Sequence, residues 1–163
     1  MDIQINYNYK KELLHPIAIT ELAEFVLERQ KLPDFTEVVI SFVKNEDSAF
    51  LNERYRDRTG PTDVLSFACD SESVEDEPDG FLDQDPNNQD LQTFMLGDIV
   101  IAVDIAIRQT TEYGTTLEEE VSLLVIHGLL HLCGYDHIYD DEAKVMEALE
   151  DGLLADWFLG KGN

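Results

Sequence analysis

The pattern of apolar, β-branched and polar residues predicts four strands along this chain. Residues 2–9 place Ile3, Ile5 and Tyr7 on one face, as a half-buried strand does. The β-branched and aromatic run at 36–43 predicts a second strand, and the run at 62–69 predicts a third. A buried fourth strand is predicted over 94–103, where apolar residues dominate.

The spacing of apolar residues between these strands predicts five helices. In the first and last of these segments apolar residues recur every three or four positions, which is the pattern of a helix with one buried face. The predicted helices cover residues 16–31, 45–55, 104–113, 117 to just before Gly134, and 140–158.

Polar residues and glycines mark the ends of several helices. Asn45 and Asp104 are predicted caps, because their side chains can accept hydrogen bonds from first-turn amides. Thr116–Glu119 has the form of a capping box. Gly114 and Gly134 are predicted to end helices in a left-handed conformation that a residue with a Cβ resists.

The order of elements predicts an α/β (α+β) fold with a small, mixed four-stranded sheet. The length of 163 residues indicates a single compact domain over 1–163. Residues 70–93 differ from the rest, because they hold nine acids, no Lys or Arg, and few apolar residues. This composition predicts a mobile acidic loop inserted between two strands.

Three of the four histidines fall in one short stretch and predict a metal site on a helix in the C-terminal half. His127 and His131 are four residues apart, so they share a helix face, and Gly134 lets the chain turn so that His137 can join them. Three imidazoles and an open position describe a catalytic zinc site, with one Zn²⁺ per chain. Nickel, copper and iron remain alternatives. His15 stands apart and is interpreted as a solvated residue.

The ligand spacing matches the long zincin motif of metalloproteases, with one difference. Those enzymes place a general-base Glu after the first His, where this chain has Gly128. Asp136 is then the nearest acid in the motif, and it could act as a base, anchor a ligand, or do neither. Cys133 is either a fourth ligand or a small buried apolar residue.

Two further residues have open interpretations. Asp98 is predicted to be either an acceptor for a ligand histidine or a satisfied polar group of the core. Arg56 could offer a fork of donors to a phosphate, or lie solvated at the end of a loop.

The charge of the chain limits the classes of binding partner that we expect. Thirty-five acids against 11 Lys and Arg give a formal net charge of −24, which argues against a broad basic surface for nucleic acid. The local exception is the trio Arg54, Arg56 and Arg58. No apolar run is long enough to span a membrane, the N-terminus has no signal pattern, and the two cysteines form no paired motif. A cytoplasmic protein is expected.

Four motifs together resemble the YbeY family of endoribonucleases, which are bacterial rRNA maturation factors. They are Asn52-x-x-Tyr55-Arg56, Pro61-Thr-Asp-Val-Leu-Ser-Phe67, Leu96-Gly-Asp-Ile-Val-Ile101 and His127-Gly-Leu-Leu-His131-Leu-Cys-Gly-Tyr-Asp-His137, in the order of the family. The resemblance implies a compact α/β fold and a zinc held by His127, His131 and His137.

The resemblance also implies a function. It implies a single-strand-specific RNase that acts in small-subunit (16S) rRNA maturation and ribosome quality control, with ribosomal small-subunit components as partners. It assigns a functional role to Arg56, which we expect to stabilise charge on the phosphate. The alternatives are a small zinc metallopeptidase and a non-catalytic ribosome assembly factor with a structural zinc. The 70–93 insert would then either repel RNA or serve as a solvated spacer.

Overall fold

In the part of the chain that the structure describes, four strands form one mixed sheet and six helices pack around it. The computed structural model describes residues 1–69, 94–135 and 139–161. The strands in these ranges are β1 (Asp2–Tyr7), β2 (Thr36–Val43), β3 (Val64–Ala68) and β4 (Phe94–Ala102). The helices are α1 (Lys11–Leu14), α2 (Ile19–Arg29), α3 (Asn45–Arg56), α4 (Val103–Tyr113), α5 (Leu117–Leu132) and α6 (Asp140–Lys161).

The sheet is mixed because its strands do not all run in the same direction. The order is β1-β2-β4-β3; β1, β2 and β4 are parallel, whereas β3 runs antiparallel to β4 and lies at the edge. This arrangement confirms the predicted α/β fold with a small mixed four-stranded sheet. No helix in the described ranges is long and apolar enough to cross a membrane.

Two apolar clusters cover the two faces of the sheet. The larger one joins β2 and β4 to helices α2, α5 and α6, and it includes Met146 and Leu153 of α6. The smaller one contains Leu65 and Val100, with Leu51 of α3 packed against it. Because neighbouring residues of a strand point to opposite faces, α3 and α5 lie on opposite sides of the sheet.

Helix α5 approaches the sheet closely because it carries a glycine at the contact. A Cβ built on Gly128 would lie 2.9 Å from the Cγ2 of Ile99 in β4. On the neighbouring strand, the Ser66 hydroxyl donates to the Gly128 carbonyl at 3.3 Å. These contacts hold the histidines of α5 beside the edge strand β3.

Gly97 allows β3 and β4 to approach at a bulge. The pairing of β2 with β4 shifts by one residue here, and Gly97 has a φ of +149°. A Cβ at this position would lie 2.3 Å from the backbone oxygen of Phe67. A residue with a side chain would therefore force the two strands apart.

The predicted helix ends are partly confirmed. Thr116 and Glu119 form the reciprocal capping box, and Gly114 ends α4 in the left-handed region with a φ of +67°. The prediction that Asn45 and Asp104 are caps was wrong, because α3 and α4 begin at Asn45 and Val103 and their N-caps are Lys44 and Ala102.

The Asp104 carboxylate accepts long-range hydrogen bonds in place of the capping bonds. Lys10 donates to it at 2.6 Å and the Tyr9 hydroxyl donates at 3.0 Å. Both donors follow β1, about 95 residues earlier in the chain, so the local pattern around position 104 does not reveal them. The Asn45 amide oxygen is buried and has no hydrogen-bond partner among the described residues.

Other boundaries differ from the predictions by a few residues. The 16–31 helix begins only at Ile19, and the short α1 before it was not predicted. Strand β3 begins at Val64, two residues later than predicted, because Thr62 is engaged by Ser48 of α3. The predicted insert 70–93 lies outside the described residues, as do Asp136 and His137.

Candidate functional site

The imidazoles of His127 and His131 meet on the side of α5 that faces β3. The two residues are one helical turn apart, and their rings lie nearly perpendicular with centroids 4.6 Å apart. The Nε2 atoms are 3.1 Å from each other. The helix spacing that predicted a shared face therefore brings the two rings together.

The other nitrogen of each ring is held by an oxygen. Nδ1 of His127 contacts a carboxylate oxygen of Glu150, and Nδ1 of His131 lies 3.0 Å from the Tyr135 carbonyl. A carbonyl can only accept, so Nδ1 of His131 carries the proton in this contact. A proton on Nδ1 leaves the Nε2 lone pair available to a metal ion.

The spacing of the two Nε2 atoms fits metal coordination. Nitrogens at 2.0–2.1 Å from a tetrahedral zinc ion are about 3.3 Å apart. The observed 3.1 Å is close to this value. The donor pair therefore suits an ion such as zinc, and the two Nδ1 contacts would orient the rings for it. His137, the third predicted ligand, and Asp136 lie outside the described residues.

Glu150 is a site residue that the sequence analysis missed. It lies on α6, is only 8% exposed, and approaches His127 from 23 residues further along the chain. A buried acid needs a partner, and the imidazole supplies one. The position of Glu150 in the sequence could have indicated that it is buried. It interrupts the apolar stripe of α6 between Met146 and Leu153, both of which are buried.

A cleft of about 980 Å³ opens beside the two imidazoles. It follows the outer edge of β3 and is bounded by the end of α3, the loop after it and the end of α5. The polar side chains of interest on its wall are Asn52, Arg56, Arg58, Ser66, His127 and His131. The structure thus brings Arg56 to the same cleft as two of the predicted metal ligands.

Arg56 is held at the rim of this cleft by the edge strand. It is the last residue of α3, and its guanidinium donates to the backbone carbonyl of Ser66. The same group lies 5.4 Å from the centre of the Phe67 ring. Arg56 remains exposed, so it is oriented by β3 and still open to a ligand in the cleft.

Two buried polar residues of α3 fix the loop that forms one wall. The Ser48 hydroxyl accepts from the Thr62 amide at 3.1 Å and lies 2.8 Å from the Thr62 carbonyl. The Asn52 amide donates to the Gly60 carbonyl at 2.9 Å. Asp63, further along, accepts from the Gln109 side chain at 3.2 Å. These residues have a supporting role that their sequence pattern did not indicate.

Cys133 is placed away from the cleft. It lines a separate cavity of about 340 Å³, together with apolar residues such as Leu32 and Leu96. Burial raises the pKa of its thiol to about 11, so the thiol stays neutral at physiological pH. The position of Cys133 outside the cleft wall favours a partly buried apolar residue over a ligand.

Both predictions for Asp98 were wrong. Its side chain is exposed and therefore belongs to no core network. Ile99 faces α5, so Asp98 points to the opposite side of the sheet, away from the histidines. In the part of the chain that the structure describes, a carboxylate of Glu150 contacts His127.

Position 128 does not point into the cleft. An added Cβ would meet three atoms of Ile99, at 2.9, 3.1 and 3.2 Å. A zincin-like Glu would therefore collide with the sheet at this position. The glycine is required by helix–sheet packing, and no carboxylate can replace it while α5 keeps this approach.

Comparison with known proteins finds relatives over most of the chain. A family model described as Endoribonuclease YbeY matches residues 4–157. A protein of Frankia alni with that name is 40% identical over 148 residues, which is 86% of this chain and 74% of the relative. Another from Lachnoclostridium phytofermentans is 34% identical and covers 94% of this chain and 92% of its own.

A third relative and a solved structure extend the comparison. A protein of Nocardioides sp., also named Endoribonuclease YbeY, is 40% identical over 88% of this chain and 91% of its own. A protein of Thermotoga maritima with a known solution structure has a TM-score of 0.56 at 24% identity. The match covers 97% of this chain and 93% of that protein, which supports the fold.

Proposed function

Because the chain belongs to the YbeY endoribonuclease family, we propose that it is a zinc-dependent endoribonuclease specific for single-stranded RNA. We further propose that it acts in 16S rRNA maturation and ribosome quality control. The observation that carries the proposal is the meeting of His127, His131 and Arg56 on one cleft. Such a cleft combines a metal-binding pair of imidazoles with a cation suited to phosphate.

In this proposal His127 and His131 hold the metal through Nε2, with His137 as the third ligand and one zinc per chain. Support comes from the 3.1 Å spacing of the two Nε2 atoms and from the acceptors on both Nδ1 atoms. When bound, zinc would act as a Lewis acid that lowers the pKa of water to roughly 7 and polarises a phosphoryl oxygen.

Arg56 would bind the phosphate and stabilise the charge that develops on it. Its guanidinium is fixed by Ser66 and Phe67, so little side-chain freedom is lost when a phosphate binds. Asp136 stays the proposed proton acceptor or ligand anchor. The nucleophile is either water or the RNA 2′-hydroxyl, and both are compatible with this cleft.

The structure weighs against the two rival functions. A zincin-like peptidase needs a carboxylate after the first histidine, and Ile99 blocks a side chain at Gly128. A structural zinc needs a closed fourth position, and Cys133 lines a different cavity from the imidazoles. An open catalytic site fits better.

The proposed partners are single-stranded rRNA and components of the small ribosomal subunit, in the cytoplasm. Cys69 and Cys133 are both free thiols, which suits a reducing compartment. The negative charge of the whole chain makes a local basic cleft, rather than a broad basic surface, the expected RNA contact.

An assay on two substrate classes tests this function. Zinc-loaded protein is expected to cleave a labelled single-stranded RNA, to leave the matching duplex intact, and to leave casein intact. Activity should co-elute with the protein and disappear when a chelator is added. Cleavage of casein without RNA cleavage would assign the chain to the peptidases, and zinc-loaded protein inactive on both substrates would support the assembly factor.

Glu150 offers a separate test of the metal site. Glu150→Ala is expected to weaken zinc binding about 10- to 100-fold, since the carboxylate orients the His127 ring. Glu150→Gln, which keeps an acceptor oxygen, should fall between this variant and wild type. Chelator competition measures the affinity directly.

The matched control is Glu147→Ala, which removes an exposed acid from the same helix. It should retain wild-type zinc affinity. A Glu150→Ala protein with lower thermal stability but unchanged zinc affinity would restrict Glu150 to a structural role.

A further inference from the structure

Three aromatic and two arginine side chains contact one another in a row on the surface between α3 and β3. We call this set the aromatic–arginine ladder, and it consists of Phe50, Arg54, Tyr55, Phe67 and Arg56. The Arg54 guanidinium lies 5.9 Å from the Phe50 ring centre and 5.7 Å from that of Tyr55. The Tyr55 and Phe67 rings meet edge to face at 5.5 Å, and Arg56 lies 5.4 Å from Phe67.

The ladder is exposed at the end far from the cleft. Phe50 and Tyr55 are each 58% exposed, although large aromatic side chains are usually buried in a core. Phe67 is half-buried and packs against the small cluster under α3. Exposed rings held in a fixed row are a surface available to a flat ligand.

The ladder ends at the candidate site. Arg56 is its last member and also lines the cleft beside His127 and His131. Two of the 11 basic residues of the chain stand in the ladder, whereas the whole chain has a net charge of −24. These two arginines can contact the phosphates of a polyanion, although Glu53 of the same helix carries the opposite charge.

We propose that the ladder is a base-stacking subsite that guides single-stranded RNA into the cleft. The inference rests on the proposed function, because it supplies the substrate path for that site. Unpaired bases stack on aromatic rings, and adjacent arginines contact the phosphates between them. Bases inside a duplex are stacked on each other and cannot use such rings, so the subsite would select single strands.

The ladder could have two roles other than RNA binding: it could stabilise the fold or bind a protein. The cation–π contacts could serve only the stability of α3, since Phe50 and Arg54 are four residues apart on that helix. Exposed aromatic and arginine residues also occur at protein interfaces. RNA is favoured here because the ladder runs into the cleft at Arg56, which is placed to receive a phosphate.

The experiment compares two probes of equal charge on full-length protein. One is a fluorescent 2′-O-methyl oligo(A) and the other is an abasic oligomer of the same length, both checked for integrity after measurement. The variants Phe50→Leu and Tyr55→Leu remove a ring and keep apolar volume, whereas Tyr55→Phe keeps the ring. Tyr113→Leu is the control, because Tyr113 is 67% exposed on α4 and does not line the cleft.

We expect Tyr55→Leu and Phe50→Leu to weaken oligo(A) binding by about 5- to 150-fold per lost stacking contact. The abasic oligomer should bind them as it binds wild type, and Tyr55→Phe and Tyr113→Leu should match wild type on both probes. Arg54→Gln should weaken both probes, since it removes charge. Thermal melting of each variant separates a folding defect from a binding defect.

Equal affinity of the ring variants and wild type for oligo(A) would overturn the subsite, as would an equal loss on both probes. Cleavage of unmodified RNA is measured separately. A wild type that cleaves RNA but binds it independently of the rings contradicts the ladder alone. A wild type that binds through the rings but does not cleave contradicts the proposed function alone.

Discussion

His131→Ala is expected to abolish stoichiometric zinc binding and, with it, RNA cleavage. His131 supplies one of two Nε2 atoms that lie 3.1 Å apart, and its ring is oriented by the Tyr135 carbonyl. A three-histidine site that loses one ligand loses both a metal bond and the geometry that keeps a position open. Elemental analysis of the purified protein measures the metal, independently of activity.

The control for this variant is His15→Ala. His15 is exposed and contacts the Tyr7 ring at a centroid distance of 6.4 Å, on the short segment that joins β1 to α2. This substitution should leave zinc content unchanged. His131→Gln keeps a polar side chain in this half-buried position. It therefore tests whether zinc is lost because the ligand is missing or because the protein is misfolded. Wild-type zinc content in a folded His131 variant would refute the assigned ligand.

Arg56→Ala is expected to lower RNA cleavage by roughly 100- to 1,000-fold while zinc content and folding stay intact. The guanidinium is exposed at the cleft and is held by the Ser66 carbonyl and the Phe67 ring. Its loss would remove a positioned donor from the phosphate and would break no buried contact. The effect should appear chiefly in kcat, because a charge that develops in the transition state is stabilised most strongly there.

Two further substitutions sharpen this test. Arg56→Lys keeps a positive charge but loses the planar fork, so it should restore only part of the rate. Arg108→Ala removes an exposed arginine of α4 that pairs with Glu112 at 3.8 Å and does not line the cleft, and its rate should match wild type. Near wild-type cleavage by Arg56→Ala, in protein free of contaminating nuclease, would reject the catalytic role of Arg56.

Local signals in the sequence predicted the elements well wherever the interaction partners are close in the chain. The capping box of Thr116 and Glu119 spans three residues, and the left-handed ends at Gly114 and Gly134 depend on a single residue each. Strand β2 was predicted at its observed ends because its residues form a continuous β-branched and aromatic run. The shared helix face of His127 and His131 follows from the pitch of α5 alone.

Predictions that depended on distant partners were wrong or missing. Asp104 was predicted to cap a helix, but Lys10 bonds its carboxylate. Asp98 was predicted to be either an acceptor for a ligand histidine or a satisfied core group, but it is exposed and the pleat of β4 directs it to the other face of the sheet. Glu150 was not considered, since nothing in the residues around it indicates that α6 packs beside His127.

The sequence by itself determined the four strands, five of the six helices in the described residues, the paired histidines and the family, because periodicity, caps and motif spacing are properties of consecutive residues. Only the tertiary structure decided that Glu150 orients His127, that Ile99 excludes a side chain at Gly128, and that Arg56 reaches the histidine cleft across the edge of β3. These contacts join residues 23 or more positions apart. They depend on how α3, α5 and α6 pack against the sheet, which follows from burial of all the apolar faces together and not from any single segment.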